Sequence, residues 1–170
     1  MVIITSFPIQ LKNISGLKPT GRAGHQMCSI QGKIMMFGGI NDVGKSLNEI
    51  FIFDLNQQEW SQVIEMKKPR WNHSISLNPS EHLVFVFGGI NDAYDCFCNS
   101  LSQEVMILDT VTHKIKFVPI IDEKGNLPKP RSDSAVAFDP VRKRIIQIGG
   151  WSSYWEEEII FIDISNYDFN

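Results

Sequence analysis

The pentapeptide Gly38-Gly39-Ile40-Asn41-Asp42 recurs unchanged at residues 88–92, and its diglycine recurs a third time at residues 149–150. A short apolar run, rich in Ile, Val, Met and Phe, precedes each diglycine. Such runs, ended by glycine, are typical of β-strands, and paired glycines permit positive φ and close approach of another backbone. The 170-residue sequence therefore predicts three copies of one internal repeat.

Each copy extends on both sides of its diglycine. An arginine lies 16, 18 and 18 residues upstream, and a Glu, four apolar residues and an Asp follow downstream. The interval from Glu to Asp is five residues in every copy, whereas the interval from the second Gly to the Glu is 10, 15 and 8. Insertions therefore collect in one loop, and the strands keep their spacing. The upstream arginines are Arg22, Arg70 and Arg131, and the Glu and Asp residues are Glu49 and Asp54, Glu104 and Asp109, and Glu158 and Asp163.

The pattern predicts four strands in each copy. Strand A begins near the residue three after the arginine, strand B ends at the diglycine, strand C ends at the Asp, and strand D opens with Trp60, Phe117 or Phe169. The nearly continuous apolar runs of strands B and C predict sheets that are covered on both faces. Four-stranded units that pack on their neighbours are the blades of a β-propeller.

These residues resemble the kelch repeat, which has an arginine with a following His, an apolar strand into Gly-Gly, a variable loop, an apolar strand into Tyr/Phe-x-Asp, and a Trp. The resemblance covers nearly all of residues 19–170. The third copy departs from the pattern, because Ser134 replaces the His found at His25 and His73, and the last two copies have Phe instead of Trp. The resemblance implies an all-β fold, a kelch-type β-propeller segment of four-stranded antiparallel blades.

The repeat divides the chain into blades. We expect strand D of a preceding blade in residues 1–18, a first blade in 19–66, a second in 67–121, and a third that lacks its D strand in 122–170. Three blades are too few to close a ring. Two expectations remain open: the remaining blades lie in the same chain, or a second copy joins as the other half-ring.

Composition excludes several kinds of partner. The formal charge is −3 and no basic run occurs, which argues against nucleic acid. No apolar stretch approaches the roughly 18 residues of a membrane span, so we expect no membrane partner. Three cysteines and no recognisable export signal predict a cytoplasmic protein.

The loops between strands B and C and those between strands D and A should emerge on one face. Aromatic and arginine side chains in such loops are frequent at binding hot spots, and the resemblance implies that peptides or protein loops bind there. Two structural alternatives stay open: the arginines satisfy backbone carbonyls or the Glu of strand C, and the tryptophans of the third loop fill gaps between blades. The candidate binding residues are Arg22, Asn41, Asp42, Arg70, Trp71, Asn91, Asp92, Tyr94, Arg131, Trp151, Tyr154 and Trp155.

Other recurring residues have expected structural roles. We expect His25 and His73 to form hydrogen bonds on strand A, and the Asp that ends each strand C to accept backbone N–H groups of the following turn. The pair Cys96-x-Cys98 lacks the spacing of a zinc site, so no metal is predicted.

No nucleophile elbow, phosphate loop or zincin helix is present, so we expect no catalysis and no cofactor. The sequence thus predicts a non-catalytic protein-interaction module that binds a protein partner. The alternative is a regulatory or substrate-recruiting propeller of a multidomain enzyme, for example a kelch-containing phosphatase.

Overall fold

The computed structural model of the chain describes residues 18–91, 101–122 and 124–165. Within these residues, eleven strands form three antiparallel sheets and no helix occurs. In each sheet the strands pair in chain order, as expected when short loops join neighbouring strands. The all-β fold class predicted from the repeat is therefore confirmed.

The three sheets correspond to the three copies of the repeat. The first sheet contains β1 (Gln26–Ile30), β2 (Lys33–Phe37), β3 (Glu49–Asp54) and β4 (Glu59–Glu65). The second contains β5 (Ser74–Asn78), β6 (Leu83–Phe87), β7 (Glu104–Asp109) and β8 (Ile115–Pro119). The third contains, within the described residues, β9 (Ala135–Asp139), β10 (Arg144–Ile148) and β11 (Ile159–Asp163).

The strand ends follow the repeat closely. Strands β2, β6 and β10 end immediately before the diglycines, and β3, β7 and β11 end on the recurring Asp. The fourth strands differ from the prediction, because β4 begins one residue before Trp60 and β8 begins two residues before Phe117. Pairing resumes as soon as the preceding turn closes, so the aromatic residue does not mark the strand start. The fourth strands expected in residues 1–18 and from Phe169 lie outside the described residues, apart from residue 18.

The hydrophobic core lies between the sheets. One cluster joins β2 and β3 of the first sheet to β6 and β7 of the second, and another joins β6 and β7 to β10 of the third. The second sheet is thus covered on both faces, which explains why Leu83–Phe87 is buried throughout. The first strands β1, β5 and β9 lie closest to one another, so the sheets fan out from a common inner edge.

The diglycines join one sheet to the next. The Gly39 N–H donates to the Arg70 carbonyl at 2.9 Å, and the Gly89 N–H donates to the Arg131 carbonyl at 3.1 Å. A Cβ atom on Gly88, whose φ is +58°, would lie only 1.9 Å from the Arg131 carbonyl oxygen. Glycine is therefore required there for close approach as well as for its dihedral angle.

A second set of hydrogen bonds joins the inner edges of the sheets. The residues two after each arginine, Gly24, Asn72 and Asp133, all have positive φ, which Gly, Asn and Asp tolerate best. The Asn72 N–H donates to the Gly24 carbonyl at 2.8 Å, and the Asp133 N–H donates to the Asn72 carbonyl at 2.9 Å. Each blade is thus bonded to its neighbour by backbone groups near the inner edge.

Candidate functional site

The long loops of the three blades lie together on one side of the sheets. Trp71 lies in a loop between strands D and A, and Ile90 lies in a loop between strands B and C. Their backbones exchange hydrogen bonds of 3.1 and 2.9 Å. On the opposite side, the short turns are joined in the same way, because the Thr110 N–H donates to the His82 carbonyl at 2.9 Å. We call the first surface the loop face, residues 18–25, 38–48, 66–73, 88–91, 101–103, 124–134 and 149–158. We call the second the turn face, residues 31–32, 55–58, 79–82, 110–114 and 140–143.

The repeated arginines hold the loop face together. The Nη1 atoms of Arg22, Arg70 and Arg131 donate to the carbonyls of the three first glycines at 3.1, 3.2 and 3.1 Å. Arg22 also pairs with Glu49 at 3.0 Å, and Arg131 pairs with Glu158 at 3.3 Å. All three arginine side chains are buried, which favours the scaffold role over direct ligand contact.

Arg70 differs from the other two arginines. Its counterpart carboxylate, Glu104, lies near the Lys68 ammonium at 3.4 Å, and the Arg70 Nε and Nη2 atoms have no hydrogen-bond partner in the described part of the chain. Arg70 is 0 % exposed, and this burial lowers its pKa to about 10, although the charge of Glu104 opposes the shift. The unpaired N–H groups of Arg70 therefore carry a desolvation cost that no hydrogen bond within the described residues offsets.

The hydrogen bond expected of His73 is absent within the described residues, and that expected of His25 stays a prediction. Neither ring nitrogen of His73 has a partner among the described residues, and Nδ1 of His25 has none either. Each precedes the first strand of its sheet by one residue instead of lying on it. Burial above all, with the electrostatic effects of Arg70 and His25, lowers the pKa of His73 to about 3, so the ring is neutral at pH 7. The expectation for His73 was wrong, because its ring is almost fully buried.

The recurring Asp residues have the predicted role. The Asp54 Oδ1 atom accepts the N–H groups of Asn56 and Gln57 at 2.8 and 2.9 Å. Asp109 accepts two N–H groups in the same way, and Asp163 accepts that of Ser165. These carboxylates therefore close the turns after the third strands, and we assign them no ligand.

The candidate binding residues of the first blade lie together. Residues 20–23 and 40–42 line a shallow concavity, which brings Arg22, Asn41 and Asp42 to one place. The Asn41 Oδ1 atom accepts the Lys45 N–H at 2.7 Å, so Asn41 shapes the loop while Asp42 is exposed. Among the described residues, no aromatic side chain lines this concavity.

In the second blade, Trp71 forms a backbone bridge with Ile90, and Asn91 follows Ile90 in the chain. Trp71 and Asn91 are both half-buried. The Asn91 Oδ1 atom is buried and has no partner among the described residues. The candidates Asp92 and Tyr94 lie outside the described residues.

The third blade carries the most exposed candidates. Trp151 and Trp155 pair through their backbones and close a tight loop, in which Trp155 is 76 % and Tyr154 54 % exposed. Trp155 therefore does not fill a gap between blades within the described structure. Trp151 is half-buried and bridges to Ser132, next to the candidate Arg131.

A lysine that sequence reasoning missed supports this loop. Lys129 donates to the Tyr154 hydroxyl, its Nζ atom lies 4.6 Å from the centre of the Tyr154 ring, and the same atom lies 3.6 Å from the Glu156 carboxylate. The Ser152 hydroxyl donates to Glu156 at 2.5 Å, and this bond, with the charges of Lys129 and Arg131, holds the pKa of Glu156 below its usual value. No local sequence motif predicts a contact between residues that lie so far apart in the sequence.

Two features of the described residues concern metal binding and membranes. No group of three or more His, Cys, Asp or Glu residues there could hold a metal ion. No helix in that part of the chain is long and apolar enough to cross a membrane. Cys96 and Cys98, whose spacing argued against zinc, lie outside the described residues.

Antiparallel sheets that stack around a common inner edge, with variable loops on one face, define a β-propeller segment. A family model described as the KLHDC2/KLHL20/DRC7 Kelch-repeats domain matches residues 4–170. The chain therefore belongs to the kelch-repeat family, as the repeat predicted.

Several curated proteins are similar to this chain. It is 26 % identical over 147 residues to tRNA wybutosine-synthesizing protein 4 of Saccharomyces cerevisiae, a match that covers 84 % of this chain and 19 % of that protein. It is 29 % identical over 159 residues to acyl-CoA-binding domain-containing protein 5 of Arabidopsis thaliana, a match that covers 92 % of this chain and 23 % of that protein. It is 29 % identical over 101 residues to kelch domain-containing protein 3 of Rattus norvegicus, a match that covers 55 % of this chain and 24 % of that protein. The chain thus spans about a fifth to a quarter of the length of these relatives.

Proposed function

We propose that this chain is a non-catalytic interaction module that binds a peptide or a loop of a partner protein on its loop face. The observation that carries the proposal is the position of the exposed aromatic side chains. Tyr154 and Trp155 project from the loop face, whereas the large exposed apolar side chains of the described turn face are aliphatic: Leu55, Val111 and Val141. Aromatic side chains dominate binding hot spots, because they supply a large contact area at low conformational cost.

The construction of the loop face supports the same proposal. Its loops vary in length between copies, while the bases of those loops are held by the arginines and by the diglycine hydrogen bonds. A rigid base with variable tips is the usual arrangement of binding surfaces, since the tips can change without disturbing the core. Kelch-repeat domains generally serve as protein-interaction modules, which agrees with this assignment.

The test is selection of random displayed peptides on the 170-residue chain, followed by affinity measurements with variants. Tyr154→Ala and Trp155→Ala change the loop face, and Gln57→Ala and His113→Ala are matched truncations on the turn face. We expect at least one loop-face variant to lose about 2 kcal/mol or more of binding free energy, and both turn-face variants to bind normally. Losses confined to the turn-face variants would contradict the proposal.

A second candidate follows from the chain's coverage of its relatives. Because the matches cover 19 to 24 % of those proteins, the module can be one part of a larger protein, and the yeast relative is named as a tRNA-wybutosine-synthesizing protein. In that case the loop face recruits a substrate or regulates a catalytic domain elsewhere. The mass of the intact protein from its natural source, with identification of any further domain, decides between the two.

A further inference from the structure

We propose that Trp155 and Glu157 together anchor a Lys or Arg side chain of the bound peptide or loop. The inference rests on the proposed function, because it names the chemistry of the ligand that the loop face takes. The face of an indole ring attracts a cation through its quadrupole, and a neighbouring carboxylate adds charge attraction.

The two side chains project in the same direction. Trp155 pairs antiparallel with Trp151, and the Glu156 N–H donates to the Gly150 carbonyl at 2.9 Å, one residue out of the register in which Ile148 pairs with Ile159. Trp155 and Glu157 are exposed, whereas Glu156 between them is buried. Trp155 and Glu157 therefore both face solvent, on the side of the segment away from the buried Glu156.

The neighbouring cations are already engaged on the other side of the segment. Lys129 contacts Tyr154 and Glu156, and the buried Arg131 pairs with Glu158 at 3.3 Å. Among the described residues, the Glu157 carboxylate has no hydrogen bond or ion pair. Its charge therefore remains available to a ligand.

Among the described residues, the third loop alone combines these features. The place of Trp155 in the repeat is taken by Ser46 in the first copy and by Leu101, only 8 % exposed, in the second. Residues 151–158 contain three glutamates and neither Lys nor Arg, whereas the first loop includes Lys45. Charge complementarity thus favours a basic segment of a partner over an acidic or purely apolar one.

The test uses two displayed heptapeptide libraries, one without Lys and Arg and the other without Asp and Glu. Both are selected on the 170-residue chain. We expect binders from the second library only, and a binding constant that falls as salt rises from 50 to 500 mM, because the contact includes charges.

Variants then assign the contact to the two residues. Trp155→Ala should weaken the binding of a selected peptide at least tenfold. Trp155→Phe should weaken it less, since a smaller ring retains part of the cation attraction, and Glu157→Gln should weaken it about threefold. Val141→Ala and Glu81→Gln, exposed on the turn face, are the matched controls and should bind normally. A circular dichroism melt of each variant verifies that it is folded.

Indole N–H resonances provide a direct readout that does not depend on a stable alanine variant. We expect the Trp155 resonance, assigned with Trp155→Phe, to shift when a Lys-containing peptide is added, while that of Trp60, packed on Phe53 in the first blade, stays in place. Equally tight binders without Lys or Arg, or an unmoved Trp155 resonance, would overturn this inference and leave the proposed function intact. Failure of both libraries would instead refute peptide binding, and this inference with it.

Discussion

Ile50 and Ile159 occupy the same position of the repeat, directly after its recurring Glu, yet Ile50 is 0 % and Ile159 56 % exposed. Ile50 packs against the second blade, whereas no described residue covers the corresponding face of the third. The exposed apolar residues of that face also include Ile148 and Phe161. The comparison teaches that the repeat sets the strand and its register, while burial and stability depend on the neighbouring blade.

The largest expected effect comes from the diglycines. Gly88→Ala should cost about 4 kcal/mol of unfolding free energy, because it adds the strain of positive φ to a Cβ placed 1.9 Å from the Arg131 carbonyl oxygen. Gly149→Ala has the same dihedral strain but meets its nearest atom, the Glu156 carbonyl oxygen, at 3.4 Å, so about 1 kcal/mol is expected. Urea unfolding of both variants measures the difference, and equal losses would show that the junction between blades is not as tight as described.

The isoleucines give the next largest difference. Ile50→Ala leaves a cavity between two blades and should cost about 3 kcal/mol, whereas Ile159→Ala removes an exposed side chain and should cost less than about 1 kcal/mol. Urea unfolding with an unchanged m-value is the measurement. A large loss from Ile159→Ala would mean that another part of the chain covers this face.

Sequence reasoning predicted much of this architecture. The diglycines, the Asp-closed turns and the ends of the second and third strands follow from local patterns, because each depends on residues close in the chain. The role of the arginines stayed open, because it depends on carbonyls 16 to 18 residues away. The contact of Lys129 with Tyr154 was missed for the same reason, and the unpaired ring of His73 reflects packing between two blades.

The junction of the first two blades should also make stability depend on pH. His73 has its folded pKa lowered to about 3, so the unfolded state binds more protons below its ordinary pKa of 6.5. The contribution of His73 to the free energy of unfolding is therefore fully present above pH 6.5. This contribution is lost as the pH falls towards 3, by up to about 1.4 kcal/mol per pH unit. Urea unfolding between pH 7 and 4 should show a shallower dependence of stability on pH for His73→Gln than for the unchanged chain. An identical dependence in His73→Gln would mean that this ring is not buried.

The smallest effect is expected where neighbouring blades play no part. Asp54→Ala and Asp109→Ala each remove an acceptor of two backbone N–H groups, and each should cost about 1 kcal/mol. Because these turns are local, the two losses should be similar, and the replacement of Asp109 by Asn should restore part of the loss. Thermal unfolding compares the three variants, and a loss that differs strongly between blades would contradict a purely local role.

The most direct test of the account is hydrogen exchange of the 170-residue chain with and without a selected peptide. We expect added protection on the loop face, at residues 40–47, 70–73 and 151–158, and unchanged exchange on the turn face, at residues 79–82 and 140–143. Protection confined to the turn face, or spread evenly over both faces, would contradict binding on the loop face.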